Sequence, residues 1–432
     1  MKTVHRTAIL ALISLLLLSF LSPVQAVVLG RDTGVPTEIK GQLRDFMREG
    51  KLCYPRSVIR FYSRNGFQPV WVKVQTDTKQ TWEAMLLLDC VLQFGLSNDD
   101  YHPKELSYDR LHIILEKPDQ VNANEKARYD IMLTDALVAL MDHLHYGKLN
   151  PVFSASQIDA GIAGGFCAED ALEDAIQQAN FTKTVLNVQP KAQAYTDLQY
   201  HMHLLEGLYQ GDCYEVPVAT IRKMAINMER LRWVATDNAN SIQINIPSYT
   251  LRLCRLDTAY NFKVAVGKPS APTPTLQSAV NYFTTAPEKK INRGPAGSTA
   301  NWSARNKNEM GTIYFWFTNK QGITLKGTPG KQMFKKDERD LTNGGIKVGR
   351  GQQLAELLLK FDGAENKIKD MHAAIGAFQV KNFILNKPVP LIITYITCEM
   401  KNGVLVTYKD IYNLDKGLEM AMYNVPGTLA LR

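Results

Sequence analysis

The spacing of apolar residues changes character near Trp233. Before it the period is helical: after Thr37, the positions Lys40, Leu43, Phe46 and Met47 show the recurrence of one amphipathic face. Trp82, Met85, Leu86, Leu88 and Leu92 repeat it over Thr81 to Phe94. The segment Glu125 to His145 carries Ile131, Leu133, Leu137, Leu140, Met141 and Leu144 on a wide apolar face, with Asn124 as its expected cap and Gly147 as its stop. After Trp233 the runs become short and alternating or apolar. Ile242 to Ile246, Tyr249 to Cys254, Phe262 to Val266, Thr312 to Phe317, Leu391 to Thr397 and Val404 to Tyr408 read as strands, interrupted by helices at Gln352 to Lys360 and Ala364 to Phe378. The pattern predicts an α+β chain, a helical region over 27–225 followed by a sheet-rich domain over 226–432.

Composition changes this picture little. With 432 residues, 45% apolar and 21% charged, the chain has material for two or three packed domains and is excluded from the disordered class. Its first residues add more. Lys2 and Arg6, the apolar run Ala8 to Leu21, Pro23 and the small-residue pattern Val24-Gln25-Ala26 read as an export signal over 1–26, the alternative being an anchor. The apolar core is short for a span of about 20 residues. Cleavage after Ala26 removes two bases and no acids, lowering the net charge from +8 to +6, which suits an anionic wall or membrane surface and serves equally as a solubility device. Six cysteines (Cys53, Cys90, Cys167, Cys213, Cys254, Cys398) would then meet an oxidising compartment, as buried thiols or as bridges.

Two stretches of the second half carry the candidate chemistry. Arg339 to Val348 reads RDLTNGGIKV, and one hairpin upstream Phe315-Trp316-Phe317-Thr318-Asn319 precedes Leu325-Lys326-Gly327-Thr328-Pro329. In order and spacing these resemble the two signatures of the YkuD-type L,D-transpeptidases, enzymes that cross-link bacterial peptidoglycan. Laid on the Ser-His-Gly-Cys-x-Arg-Val signature, Thr342 takes the Ser place, Asn343 the His, Gly344 the Gly, Gly345 the nucleophilic Cys and Lys347 the Arg; Lys326 takes the place of the upstream histidine, beside Gly327 and Thr328. Val266-Gly267-Lys268-Pro269 and Thr273-Pro274 match further turns of the family. In the first half, Ile59-Arg60-Phe61-Tyr62 with Pro69-Val70-Trp71, Phe94-Gly95-Leu96 with Asp99-Asp100-Tyr101-His102, and Leu133-Thr134-Asp135-Ala136 running to Gly147-Lys148 resemble the helical scaffold of the large, YcbB-like members. The resemblance implies a scaffold domain followed by a YkuD-type sandwich. It departs from the family in leaving no room for a peptidoglycan-binding module before Asn227 to Trp233, and in a shortened polar insertion between Pro274 and Met310.

Cysteine acyl transfer needs a thiolate, a base or cation that keeps it ionised, and N–H donors aimed at the oxyanion. Gly345 has no side chain, and Asn343 has no proton to exchange near neutral pH. A relocated pair, Thr342 with Lys326 or Lys347, is the remaining candidate for nucleophile and base, against solvated polar residues on a loop. His372 and the cysteines Cys254 and Cys398 fall on a helix and on strands away from the loop, and no serine follows Ser303. His143 with His145 and His201 with His203 have a spacing that points rings apart on a helix, and the cysteines lack paired zinc spacing, so no metal or other cofactor is expected. Lys289, Lys290 and Arg293 with Lys331, Lys335 and Lys336 form either a basic rim for stem-peptide carboxylates or a solvated face. Asp99-Asp100 reads as a turn pair, and nothing marks a nucleic-acid partner or a transmembrane span in the mature chain. The expected protein is an exported, periplasmic or envelope L,D-transpeptidase-like pseudoenzyme that binds peptidoglycan stem peptides or a cell-wall enzyme. The alternatives are an acyltransferase or hydrolase with a moved nucleophile, and a structural or regulatory interaction protein.

Overall fold

A computed structural model describes residues 34–73, 78–208, 218–234, 239–256, 258–285, 313–328 and 330–423. The segment read as an export signal, Cys213, Lys289, Lys290, Arg293 and Pro329 lie outside these. Among the described residues no helix is long and apolar enough to cross a membrane.

The helical region is built around Ala123–His145, in which every residue from Tyr129 to Leu144 is buried. A helix apolar on one face needs one neighbour; this one is surrounded, by Gly34–Glu49, Pro55–Arg64, Lys79–Asp89, Ala168–Gln177 and Phe181–Leu186. Its cap is Asn122, whose side-chain oxygen accepts the Glu125 N–H at 2.8 Å, while Asn124 donates instead to Glu38 on the first helix at 3.0 Å. The expected helix over Thr81 to Phe94 divides at Cys90, after which Val91–Phe94 tightens into a 3₁₀ turn closed by left-handed Gly95.

Being surrounded, the central helix carries polar groups into the interior, and most of them find partners there. Asp130 accepts the Tyr62 hydroxyl at 2.6 Å and the N–H groups of Val70, Trp71 and Val72, the Trp71 N–H at 2.7 Å. Thr134 accepts the Trp71 indole N–H at 2.9 Å. Asp135 receives the N–H groups of Cys53 and Tyr54, and Asp159 those of Arg56 and Ser57 at the start of Pro55–Arg64, where the helix end favours a carboxylate. Apart from the bonds to Asp159 on the short helix Ala155–Asp159, these phrases, scattered over the sequence, meet on one helix.

Val218–Arg232 joins the two regions. One side faces the scaffold: Arg232 donates to the Phe94 carbonyl at 2.6 Å and to the Tyr195 hydroxyl, and Glu229 accepts the Leu149 N–H at 2.7 Å. Gly95 and Gly147 allow the approach, since a Cβ on either would stand 2.8 Å from Ala225 or from Glu229 and Trp233. The other side faces the sheet domain: Arg230 pairs with Asp415 at 2.6 Å and Asn227 accepts the Thr397 N–H at 2.7 Å. Met224, Met228, Ile396, Cys398, Leu418 and Met422 pack between them.

The sheet domain contains β1 (Asn240–Asn245), β2 (Thr250–Arg255), β3 (Thr258–Gly267), β4 (Leu276–Thr285), β5 (Ile313–Phe317), β6 (Leu325–Gly327), β7 (Asp340–Thr342), β8 (Ile346–Val348) and β9 (Lys381–Thr394), with β10 (Cys398–Lys401) and β11 (Val404–Thr407) as a separate hairpin. The order is β2-β1-β9-β4-β5-β6-β8-β3-β7, and an additional β2–β3 pairing closes the sheet on itself. Ile244, Leu253, Val264, Phe283, Leu325, Val348 and Ile393 fill the interior in one cluster with Leu354 and Leu358 of the helix Gly351–Phe361.

Two strand readings need correction. The stretch Pro274 to Met310, read as a polar insertion, begins with ten residues of β4, where Val280 and Phe283 point inward between polar neighbours. β9 starts at Lys381, ten residues before the expected Leu391. Residues 381–384 and 389–390 pair with β4 and not with β1, and the register shifts between them, so Pro388 falls in the irregular stretch and Pro390 has a free edge. The helix expected over Ala364 to Phe378 spans Lys367–Gly376, and a further helix, Asp415–Met422, docks against Val218–Arg232.

Candidate active site

β6 and β8 lie side by side in parallel register, Leu325 with Ile346, Lys326 with Lys347 and Gly327 with Val348. Because side chains alternate along a strand, Leu325, Ile346 and Val348 turn into the core, while Lys326 and Lys347 share the opposite face. The same alternation places Gly345 on the face of Lys347 and Thr324 on that of Lys326, directly opposite each other. A Cβ at Gly345 would stand 2.7 Å from the Thr324 hydroxyl oxygen. The space where the family signature roots its thiol is held by Thr324.

The loop that carries these positions is firmly tied. Gly344 adopts a left-handed backbone (φ 85°), and its carbonyl accepts the Thr273 hydroxyl at 2.8 Å. The same hydroxyl oxygen accepts the Gly267 N–H at 2.8 Å, and the Lys268 N–H reaches the Thr342 carbonyl at 2.9 Å. Tyr412 closes the cluster, donating to the Gly267 carbonyl at 2.6 Å and accepting the Thr273 N–H at 3.1 Å. At the other end Arg339 donates to the carbonyls of Val264 and Tyr249, its guanidinium over the Tyr249 ring. Asn319 fastens the upstream hairpin with bonds in both directions to Ile323, at 2.7 and 3.0 Å. Gly327 lets the sheet meet the start of Gly351–Phe361: a Cβ on Gly351 would fall 2.3 Å from the Gly327 Cα.

A cleft of about 370 Å³ opens beside this loop, lined by Pro272, Pro274, Gly322, Ile323, Asn343, Gly344 and Gly345 among others. Of the positions singled out in the sequence, Asn343, Gly344 and Gly345 thus border it. Thr342 turns its hydroxyl onto the Gly345 carbonyl, one turn of chain away. Lys326 is buried, with its ammonium 5.7 Å from the centre of the Tyr314 ring, and Lys347 is half-buried beside it. Thr328 stays at the end of β6, its N–H on the Val348 carbonyl. Lys331, Lys335 and Lys336 are exposed on the 3₁₀ segment before β7.

The remaining nucleophile candidates sit elsewhere. Cys398 is buried in the joint between the regions, where desolvation pushes its thiol up to about 12. In the scaffold, desolvation and the Asp135 carboxylate push the Cys53 thiol up to about 12. All five described cysteines are free thiols. His372 pairs with Glu356 on an exposed helix face. His143 meets Tyr101 and His145 the Val188 carbonyl, so the two rings do turn apart. Asp100 is more than a turn residue: both its oxygens lie 2.7 Å from the Lys148 ammonium. Sequence reasoning missed Thr324 and Tyr412 and took Thr273 only as part of a family turn; their roles depend on which strands and turns become neighbours.

The comparisons with known proteins follow this division. Residues 56–202 match the family described as "Scaffold domain" and residues 239–364 the "L,D-transpeptidase catalytic domain". A Haemophilus influenzae protein named "Putative L,D-transpeptidase" is 24% identical over 430 residues, covering 87% of this chain and 81% of that protein. With the sheet register and both domain matches in agreement, the chain is a helical scaffold joined to a catalytic-type domain of the YkuD L,D-transpeptidase family.

Proposed function

We propose that this chain works in the cell envelope as a pseudoenzyme of cell-wall metabolism, its cleft holding stem peptides without cross-linking them. The observation that carries this reading is the filled position at Gly345: the thiol is replaced by a bare α-carbon, and the Thr324 hydroxyl takes the room its Cβ would need. Removing the nucleophile of such a catalytic unit costs on the order of a million-fold in turnover, roughly 8 kcal/mol of barrier. The backbone frame survives, with the cleft, the Gly344 turn and the Asn319 hairpin intact, which favours retained binding over a collapsed site. Export is supported by the leader-like segment 1–26, and the same two-region division at 27–225 and 226–432 describes the mature chain, with Val218–Arg232 as the shared joint.

The alternative, catalysis by Thr342 with Lys326 or Lys347, is disfavoured because the Thr342 proton already serves the Gly345 carbonyl. Incubation of the purified protein with tetrapeptide muropeptides tests the reading. Binding without product is expected; cross-linked peptides, or an acyl adduct on Thr342 or a lysine seen by mass spectrometry, would overturn it. Sedimentation with wall sacculi at low and high salt separates cleft binding, which persists, from charge attraction, which vanishes. An interaction-only protein would bind no wall fragment at either salt.

A further inference from the structure

Away from the cleft, three side chains from distant parts of the scaffold converge. Cys53 precedes the helix Pro55–Arg64, His102 follows the 3₁₀ turn Asn98–Asp100, and Asp135 lies at the middle of the central helix. One ligand atom from each, a thiol sulfur, an imidazole nitrogen and a carboxylate oxygen, all lie within 4.8 Å of one another. His102 Nε2 and Asp135 Oδ2 are 2.6 Å apart. Asp135 is fully buried and His102 partly so, its side chain 14% exposed, while Cys53 is exposed and leaves a way in from solvent.

We infer that Cys53, His102 and Asp135 form a binding site for a divalent, thiolate-accepting cation of the zinc class. The donor set is sulfur, nitrogen and oxygen, the mixture zinc accepts with a fourth place left to water. Bond lengths of about 2.0–2.3 Å in a tetrahedral site put ligand atoms roughly 3.3–3.7 Å apart. The present cluster reaches that with shifts of about 1 Å: the sulfur moves in, and the imidazole and carboxylate exchange their mutual hydrogen bond for the ion. Charge balances as well. Binding sends the thiol proton to solvent, and thiolate and carboxylate together match a 2+ ion beside a neutral imidazole.

The surroundings hold the ligands as metal sites require. Asp135 is oriented by the N–H groups of Cys53 at 2.8 Å and Tyr54 at 2.9 Å. His102 takes a left-handed backbone (φ 52°), an uncommon conformation for a residue with a side chain, and its carbonyl anchors the N–H groups of Glu105 and Leu106. Asp100, the nearest further carboxylate in sequence, is committed to Lys148 and does not compete. A nucleophilic triad is a poorer account of the same residues, because the thiol donates to the Asp100 main-chain carbonyl at 3.9 Å and not to the imidazole that would have to take its proton. An ion here would tie the chain around Cys53 and the turn at His102 to the central helix.

The test uses the reduced, chelator-treated full-length protein with zinc and cobalt chloride as probes. Calorimetry is expected to show one zinc equivalent, and cobalt a sulfur-to-metal charge-transfer band. Cys53→Ser and His102→Gln should weaken zinc binding by at least about 100-fold and remove that band, whereas Cys90→Ser should change neither. Absence of saturable binding, or binding that survives Cys53→Ser, overturns the inference. Alkylation of the unaltered protein gives a readout that does not depend on folded variants. Zinc should slow labelling of Cys53 and leave Cys90 unaffected; equal rates with and without zinc at Cys53 also overturn it.

Discussion

Asp130 in the scaffold and Gly345 in the sheet domain each sit where several parts of the chain meet, and they have been treated in opposite ways. Around Asp130 every donor has its acceptor: a tyrosine hydroxyl and three successive N–H groups converge on one buried carboxyl group. Around Gly345 the backbone frame is complete, through Thr273, Tyr412, Asn319 and the Gly327–Gly351 contact, and the central position carries no side chain at all. In one region polar side chains are the structure. In the other the structure persists without them, because a sheet holds its shape through main-chain bonds and an active-site side chain adds little to that. A change of side chain at Gly345 therefore costs this fold little, whereas loss of a scaffold carboxyl group costs it much more.

The comparison breaks if removing the scaffold carboxyl group is cheap. Asp130→Ala takes the acceptor from three successive main-chain N–H groups, leaving the Tyr62 hydroxyl only Thr134, and is expected to lower stability by about 4 kcal/mol, read by chemical denaturation. Next comes the frame of the degenerate site. Gly351→Ala drives a Cβ into the backbone at Gly327 and should cost about 3 kcal/mol by the same measurement.

The scaffold also contains one acid whose setting is incomplete, and it sharpens the contrast. Asp142 is buried with one carboxyl oxygen lacking a hydrogen-bond partner, and burial, reinforced by Glu169 and Asp159, pushes its pKa from 3.8 up to about 8. The folded state thus holds this proton more tightly than the unfolded chain. Its stabilising share is full below about pH 4 and is lost as pH rises towards 8, where the native state must ionise a buried group. Asp142→Asn should flatten that fall and raise stability at pH 9 by about 2 kcal/mol, measured as Tm against pH.

The smallest effect is expected at Gly345. Gly345→Cys should cost about 1 kcal/mol because Thr324 has to turn aside, and Thr324→Ala should recover most of it. Gly345→Cys with Asn343→His should still form no acyl adduct with a carbapenem until Thr324→Ala is added. An adduct on the two-residue variant would show that the Thr324 hydroxyl does not guard the position.

Much of this was legible in the chain before folding. The helical period of Glu125 to His145, the alternation of the later strands and the two degenerate signature stretches are local properties, set by which residues stand two, three or four places apart. That Gly345 carries no nucleophile is also local, since the absence of a side chain needs no neighbour to establish it. Strand β4 was obscured because its two inward residues are diluted by the polar stretch that follows, and residues 381–390 because prolines count against a strand until one edge is known to be unpaired.

What the sequence determined by itself is therefore the two-part architecture and the residue types of the two signature-like stretches, with glycine at 345 and asparagine at 343, both written at short spacing. Only the tertiary structure decided that Thr324 stands opposite Gly345, that Thr342 spends its hydroxyl on a carbonyl, that Asp130 gathers the scaffold, and that Cys53, His102 and Asp135 meet. The reason is physical: strand register and helix packing bring together residues tens of positions apart, and no periodicity along the chain records which ones will touch.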